Sequence, residues 1–200
     1  MSFIDSQLFP CIDYYKMLKE NTNIEIVVYD SFLKSSFRNR YVISSANGLI
    51  HLTVPVLGGR EQKALMKDVE IDWSTNWATK HWRSITSAYK KAPFFDYYAD
   101  EIRNMLFQNE NHLFKYNYSI LTKLSNLLNI SVSITNCTFY ETTTDDLDLR
   151  NKILPKNFQD NRQNWQPRYA QVFEDRIGFQ PNLSILDLLF CEGPNASRLL

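Results

Sequence analysis

The chain has 200 residues, 44% hydrophobic and 22% charged, with 22 basic and 22 acidic side chains and a formal net charge of zero. That is a globular composition, long enough to bury roughly 70–75% of its unfolded surface without a disulfide or a metal, and it argues against a broad basic nucleic-acid face. Only five glycines occur, at 48, 58, 59, 178 and 193, so neither common glycine-rich phosphate cradle can be written.

In chain order, the opening residues carry no basic, apolar and cleavage regions of a signal peptide. Pro10 opens a helix over Leu8–Lys19, with Ile12, Tyr15 and Leu18 at helical spacing. Ile24–Tyr29 is β-branched and aromatic and reads as a buried strand. Tyr41–Ser45 and Leu49–Val56 flank Asn47-Gly48, which predicts a hairpin with a type I′ turn, and Pro55 limits its second strand. Leu57–Lys67 reads as a polar loop and Val69–Asp72 as a short strand. Ser74–Tyr89 predicts a helix with Trp77, His81, Ile85, Ala88 and Tyr89 on one side, ended by Ala92-Pro93. Helices over Phe94–Phe107 and Asn117–Leu128, then a strand over Ile130–Thr135, come next. Residues 142–168 read as irregular, and a last helix spans Asn182–Cys191. Strands alternating with helices around one hairpin predict a single α/β domain over 1–200, its mixed sheet containing an antiparallel hairpin and packed with helices; segregated α+β is the alternative.

Three cysteines without C-x-x-C read as reduced thiols in a cytoplasmic protein. Histidines 51, 81 and 112 have no metal-ligand spacing, no apolar run reaches the length of a membrane span, and the sequence names no cofactor. The candidate chemistry lies in three places. Lys34–Tyr41 packs Lys34, Arg38 and Arg40 with Asn39 into one loop beyond a strand, where guanidinium forks suit phosphate or carboxylate oxygens; a solvated loop with Arg40 in a structural ion pair is the competing reading. His81 sits mid-helix, with a ring able to move protons near neutrality or simply to pack, and Tyr89 shares its stripe. Arg83 could share that site with Tyr89, but it lies off the stripe and reads rather as a surface cation. Arg168–Phe173 alternates, setting Arg168 on one face and Tyr169, Gln171 and Phe173 on the other, so that a buried Gln171 needs partners or a ligand. Ser184-Ile-Leu-Asp187 has the spacing of a helix-capping box, a simpler account than a serine nucleophile.

Six strings resemble, in order, those of the bacterial WbqC-like protein family: FPCIDYY (9–15), SSFRNRYVI (35–43), LTVPV (52–56), WATKHWRSITSAYKKAPFFDYY (77–98), YAQVF (169–173) and FQPNLSILDLLFCEGPNA (179–196). The family is largely uncharacterised and often encoded in surface-polysaccharide clusters. The resemblance implies a transferase that moves glycine or another small group onto a sugar of O-antigen or a related glycan. On that expectation His81 and Tyr89 are catalytic, and Asn39, Arg40, Lys34, Arg168 and Gln171 bind an anionic or activated-sugar substrate in a hollow common to Arg40 and His81. The alternative is a non-catalytic module for a small anionic ligand, a glycan or a partner protein. Two departures from longer relatives stand out: Asp5 and Ser6 interrupt the opening strand, and 142–168 replaces an extra strand–helix–strand unit.

Overall fold

The computed structural model describes residues 2–21, 23–58, 64–130, 133–137, 147–160 and 167–200. In chain order the elements are β1 (Ser2–Ile4), α1 (Ile12–Glu20), β2 (Asn23–Val27), β3 (Arg40–Ser45), β4 (Gly48–Thr53), α2 (Trp77–Tyr89), α3 (Phe95–Leu106), α4 (Leu113–Leu127), β5 (Ser133–Cys137), β6 (Leu147–Asp148), α5 (Glu174–Ile177), α6 (Ile185–Glu192) and α7 (Ala196–Leu199). No described helix is long and apolar enough to cross a membrane.

The fold is α/β. Strands β5-β2-β1-β6 form a four-stranded sheet in which every pairing is parallel, and β3-β4 form an antiparallel sheet of their own. Parallel and antiparallel pairings are thus divided between two sheets. Numbered along the chain, the parallel strands lie in the order third, second, first, fourth, that of one half of a doubly wound nucleotide-binding sheet. β6 falls inside the stretch read as irregular: two residues pair with Ser2 and Phe3, too few to leave a periodic signal. Asp5 and Ser6 do not break the opening strand. They follow its last residue, Ile4, and both are buried. Residues 142–146 and 161–166 of that stretch lie outside the described residues.

Other boundaries move as well. The hairpin loop is Ala46-Asn47, with Ser45 opposite Gly48, and the left-handed conformation falls on Gly48 (φ 114°), not on Asn47. A turn followed by glycine therefore replaces the type I′ turn. The Ser45 hydroxyl stabilises it, donating to the Gly48 carbonyl at 2.8 Å. Val69–Asp72 supplies isolated bridges to Val56 and His112, not a strand. Leu57–Lys67 ends in a single 3₁₀ turn over Met66–Asp68, its residues 59–63 lying outside the described set. α4 begins a turn early, at Leu113.

The core runs between the two sheets. α6 is its axis: Ile185 through Cys191 are all buried, so this helix has no solvent face. α2 and α6 both pack on β3. α3 closes the far side, where Phe95, on α3, and Tyr89, on α2, lie against the Phe190 ring, each with centroids 5.2 Å from it.

Candidate functional site

In open parallel sheets ligands gather beyond the carboxyl ends of the strands, at the switch in strand order, here between β1 and β6. Asp5 follows β1, Asp30 follows β2, and Arg150 and Asn151 follow β6. Arg38 joins them. Its guanidinium donates to Asp30 and, at 3.0 Å, to Asn151, with Asp5 at 3.8 Å, and its side chain is 1% exposed. Burial pushes the Asp5 carboxyl up, while the charge of Arg38 and the Asn151 amide pull it down. This end is filled and neutralised.

The adjoining phosphate seat is filled as well. A helix N-terminus offers unpaired N–H groups to an anion. At α1 these groups are taken: Ile12 N–H donates to the Leu183 carbonyl at 3.1 Å and Asp13 N–H to Asn182 Oδ1 at 2.9 Å. Cys11, in the N-cap position, has no capping side-chain bond, so the chain's own 182–183 segment does that work. The sheet has nucleotide-type strand order without an open nucleotide-type phosphate seat.

A second network surrounds Asp187 on α6, which is fully buried. Oδ1 accepts from Tyr89 at 2.8 Å and from Ser44 at 3.2 Å; Oδ2 accepts from Tyr169 at 2.7 Å and from Gln171 at 2.9 Å. Desolvation pushes the carboxyl up from its ordinary range, against four hydrogen bonds that favour the charged form. Tyr89 and Tyr169 are pushed well above 10 by burial and by this carboxylate, so both remain donors. One carboxyl group thereby ties α2, the β3–β4 hairpin and the 168–173 segment together.

Those three elements are the walls of a cleft. One lobe, about 430 Å³, is lined by Ser45, Asn47 and Ile50 of the hairpin, by Arg83, Ser84 and Ser87 of α2, and by Phe173. A neighbouring lobe, about 480 Å³, shares Ser87, Ala88 and Phe173 and adds Thr86, Lys90, Lys91 and Arg176. Both volumes suit small-molecule sites. Residues 84, 87, 88 and 91 follow the i, i+3, i+4, i+7 rule and so share one face of the helix and the turn after it. Small side chains there leave the hollow, and Arg83, Lys90, Lys91 and Arg176 edge it with positive charge. Among the described residues, no aspartate, glutamate, histidine or cysteine lines either lobe. The arrangement can hold an anion and hydrogen-bond a polar body. Among the described residues no group of three or more His, Cys, Asp or Glu side chains is placed to hold a metal ion.

The seven candidate residues divide. Tyr89 and Gln171 come together, through Asp187, as parts of a buried scaffold; Gln171 is fully engaged, its carbonyl accepting from Gln180 N–H at 2.7 Å. His81 is 4% exposed, between the rings of Trp77 and Tyr41. Burial lowers its pKa to about 4, and the protonated Tyr41 hydroxyl lies 3.2 Å from Nδ1, so the ring is neutral and committed. Arg40 does not share a hollow with it. Tyr41 turns toward His81, and strand alternation sends its neighbour Arg40 to the other face, where Nε donates to Thr53 Oγ1 at 3.1 Å. Asn39 extends the hairpin, its amide donating to the Val54 carbonyl at 2.8 Å. Lys34 is exposed in its loop. Arg168 is exposed too, paired with Glu174 at 3.1 Å and stacked 4.3 Å over Phe179.

In the sequence Asp187 reads as part of a capping box and Arg83 mainly as a surface cation, while Lys90, Lys91 and Arg176 have no functional signal of their own. Ser184 does cap α6, accepting from Leu186 N–H at 3.4 Å, but Asp187 does not complete the box, because Ser184 N–H donates to the Val42 carbonyl. The cleft had a signal in the small residues Ser84 and Ser87 beside Arg83, Lys90 and Lys91, at the border of the apolar stripe that Ala88 belongs to.

Comparison with known proteins adds the lineage. The sequence model of the WbqC-like protein family matches residues 5–160. A protein of Mycobacterium tuberculosis (strain ATCC 25618 / H37Rv), described as uncharacterized protein Rv1507c, is 26% identical over 228 aligned residues covering all of this chain and 96% of its own. No solved structure matches significantly.

Proposed function

Because the chain belongs to the WbqC-like protein family, we propose that it works in building a bacterial surface polysaccharide, as a transferase that holds the anionic part of an activated donor in the cleft beside α2. The observation that carries this reading is the cationic edge of the cleft: Arg83, Lys90, Lys91 and Arg176, with no acidic lining residue among those described. Fixed cations stabilise charge that develops on a departing phosphate or carboxylate, and a cleft that orients donor and acceptor supplies proximity. In such a transfer the acceptor amine or hydroxyl of the sugar forms its bond to the moved group as the bond from that group to its anionic carrier breaks; the electron pair leaves with the carrier, and the acceptor's proton passes to the departing anion or to water.

A second reading, a non-catalytic module for an anionic ligand, is favoured by one observation: among the described residues no histidine, cysteine, aspartate or glutamate lines the cleft, and His81 is sealed behind Tyr41 and Trp77. The test is a panel of nucleotide sugars, sugar phosphates and aminoacyl phosphates, read by thermal shift and then by turnover with sugar acceptors. An anion that raises the Tm in wild type but not in Arg83→Glu supports the site. Turnover selects the transferase, and binding without turnover selects the module. A protein that binds no anion in the panel sinks both.

A further inference from the structure

The cleft's two lobes differ in chemistry, and the difference names the ligand class. The lobe against the hairpin presents Ser45, Asn47, Ser84 and Ser87, small hydroxyl and amide groups with one guanidinium, Arg83. The lobe toward the end of α2 presents Lys90, Lys91 and Arg176, three cations within one cavity of about 480 Å³. Phe173 lines both, so its ring stands at the junction. Polyols are recognised by this combination: short polar side chains that meet ring hydroxyls and an aromatic face that covers their C–H surface. Clustered lysine and arginine charges match an anion with several oxygens, such as a phosphate or diphosphate.

Resting on the proposed anionic-ligand site, we propose that the occupant is a sugar phosphate lying across Phe173, its phosphate among Lys90, Lys91 and Arg176 and its sugar ring against Ser84, Ser87 and Asn47. The polarity is fixed by the charge distribution. A phosphate in the hairpin lobe would meet one cation, and in the other lobe it meets three. The walls are set before binding, because Asp187 holds α2, the hairpin and the 168–173 segment in register from behind. That limits the ordering cost of association.

The experiment is isothermal titration of the full chain at low salt with three probes: glucose 1-phosphate, inorganic phosphate and glucose. Glucose 1-phosphate is expected to bind about tenfold or more tightly than either of the other two. Lys90→Glu/Lys91→Glu is expected to weaken both phosphate probes at least tenfold. Ser84→Phe, which fills the hairpin lobe, is expected to weaken glucose 1-phosphate while leaving inorganic phosphate unchanged. Asn47→Ala, at an exposed turn, serves as a milder version, with the Tm of each variant confirming that it folds. Glucose 1-phosphate binding no better than inorganic phosphate overturns the sugar assignment. Phosphate binding that survives the lysine substitutions but is lost in Arg83→Glu reverses the lobes and overturns the inference, while the anionic-ligand reading stands. Silence from all three probes, with another anion of the panel still lost in Arg83→Glu, overturns the inference alone. Only a protein that takes no anion brings down the reading beneath it.

Discussion

The carboxyl end of the parallel sheet and the cleft beside α2 handle positive charge in opposite ways. At the sheet, Arg38 is 1% exposed and held by Asp30, Asn151 and Asp5. At the cleft, Lys90, Lys91, Arg83 and Arg176 are exposed, and among the described residues no carboxylate lines the walls. Taking a guanidinium out of water demands compensating charge and hydrogen bonds, so the buried arginine is spoken for and is structural. Cations at the surface need no such compensation, and grouped in a concavity they project a field that a ligand can use. The lesson is that the richest cluster of polar side chains in a fold need not be its binding site.

Five measurements sharpen or break this contrast. The largest effect belongs to Arg38→Ala, which leaves the buried Asp5 without its cation and Asp30 with Arg150 at 3.9 Å, and is expected to cost about 3–5 kcal/mol in denaturant unfolding. A loss below 1 kcal/mol would mean the sheet end is solvated and open to ligands after all.

Next comes acid sensitivity. His81 has a folded pKa of about 4 against 6.5 unfolded, so between those values the unfolded chain binds the extra proton. Stability is complete above pH 6.5 and drains as pH falls toward 4, by on the order of 3 kcal/mol. Asp5 and Asp187, raised by burial, act with the opposite sign and lose stability as pH rises through their folded values. The readout is therefore the difference between wild type and His81→Gln over pH 4–7, which isolates the histidine. A variant with an unchanged acid limb would place that ring in water.

Asp187→Asn is expected to cost about 2 kcal/mol, because whichever way the amide faces, its nitrogen meets O–H or N–H donors. It should also weaken anion binding in the cleft without touching a lining residue. Gly193→Ala tests packing at the end of α6: the glycine has φ 55°, and a Cβ would run into the Phe94 ring. A loss of roughly 1–3 kcal/mol by thermal melting is expected. The smallest effect belongs to Arg83→Ala and Lys91→Ala, each within about 0.5 kcal/mol of wild type in stability while anion affinity falls. A large loss of stability in either would turn the cleft cations into structural ones.

Much of the scaffold was legible because it is local. Helical spacing marked α2 from Trp77 to Tyr89, and Asn47-Gly48 marked the hairpin, although the turn itself sits one residue earlier. The family strings likewise pointed to the right lineage. What stayed hidden depends on distant partners. Asp187 looks like a capping residue until Tyr89, 98 residues away, and Ser44, 143 away, bring their hydroxyls to it. His81 has the same spacing whether it packs or reacts; only Trp77 and Tyr41 around it decide. Arg40 and Arg38 could not be ranked from composition, since alternation along β3 and the Asp5–Asp30 pair separate their fates. β6 is two residues long and needs β1 beside it to exist.

The plug at the start of α1 has a consequence for how the chain matures. Asp13 and the side chain that receives its amide proton, Asn182, are 169 positions apart. During synthesis the first helix leaves the ribosome long before its stopper does. At usual elongation speeds of about 5–20 residues per second, that interval lasts on the order of ten to thirty seconds. Through it the nascent β1–α1 unit lacks its finishing contacts, and the final tightening is a late, whole-chain event of high contact order. A nascent chain arrested before residue 182 should therefore exchange its α1 amide hydrogens freely, and protection should arrive only once the last helix has emerged.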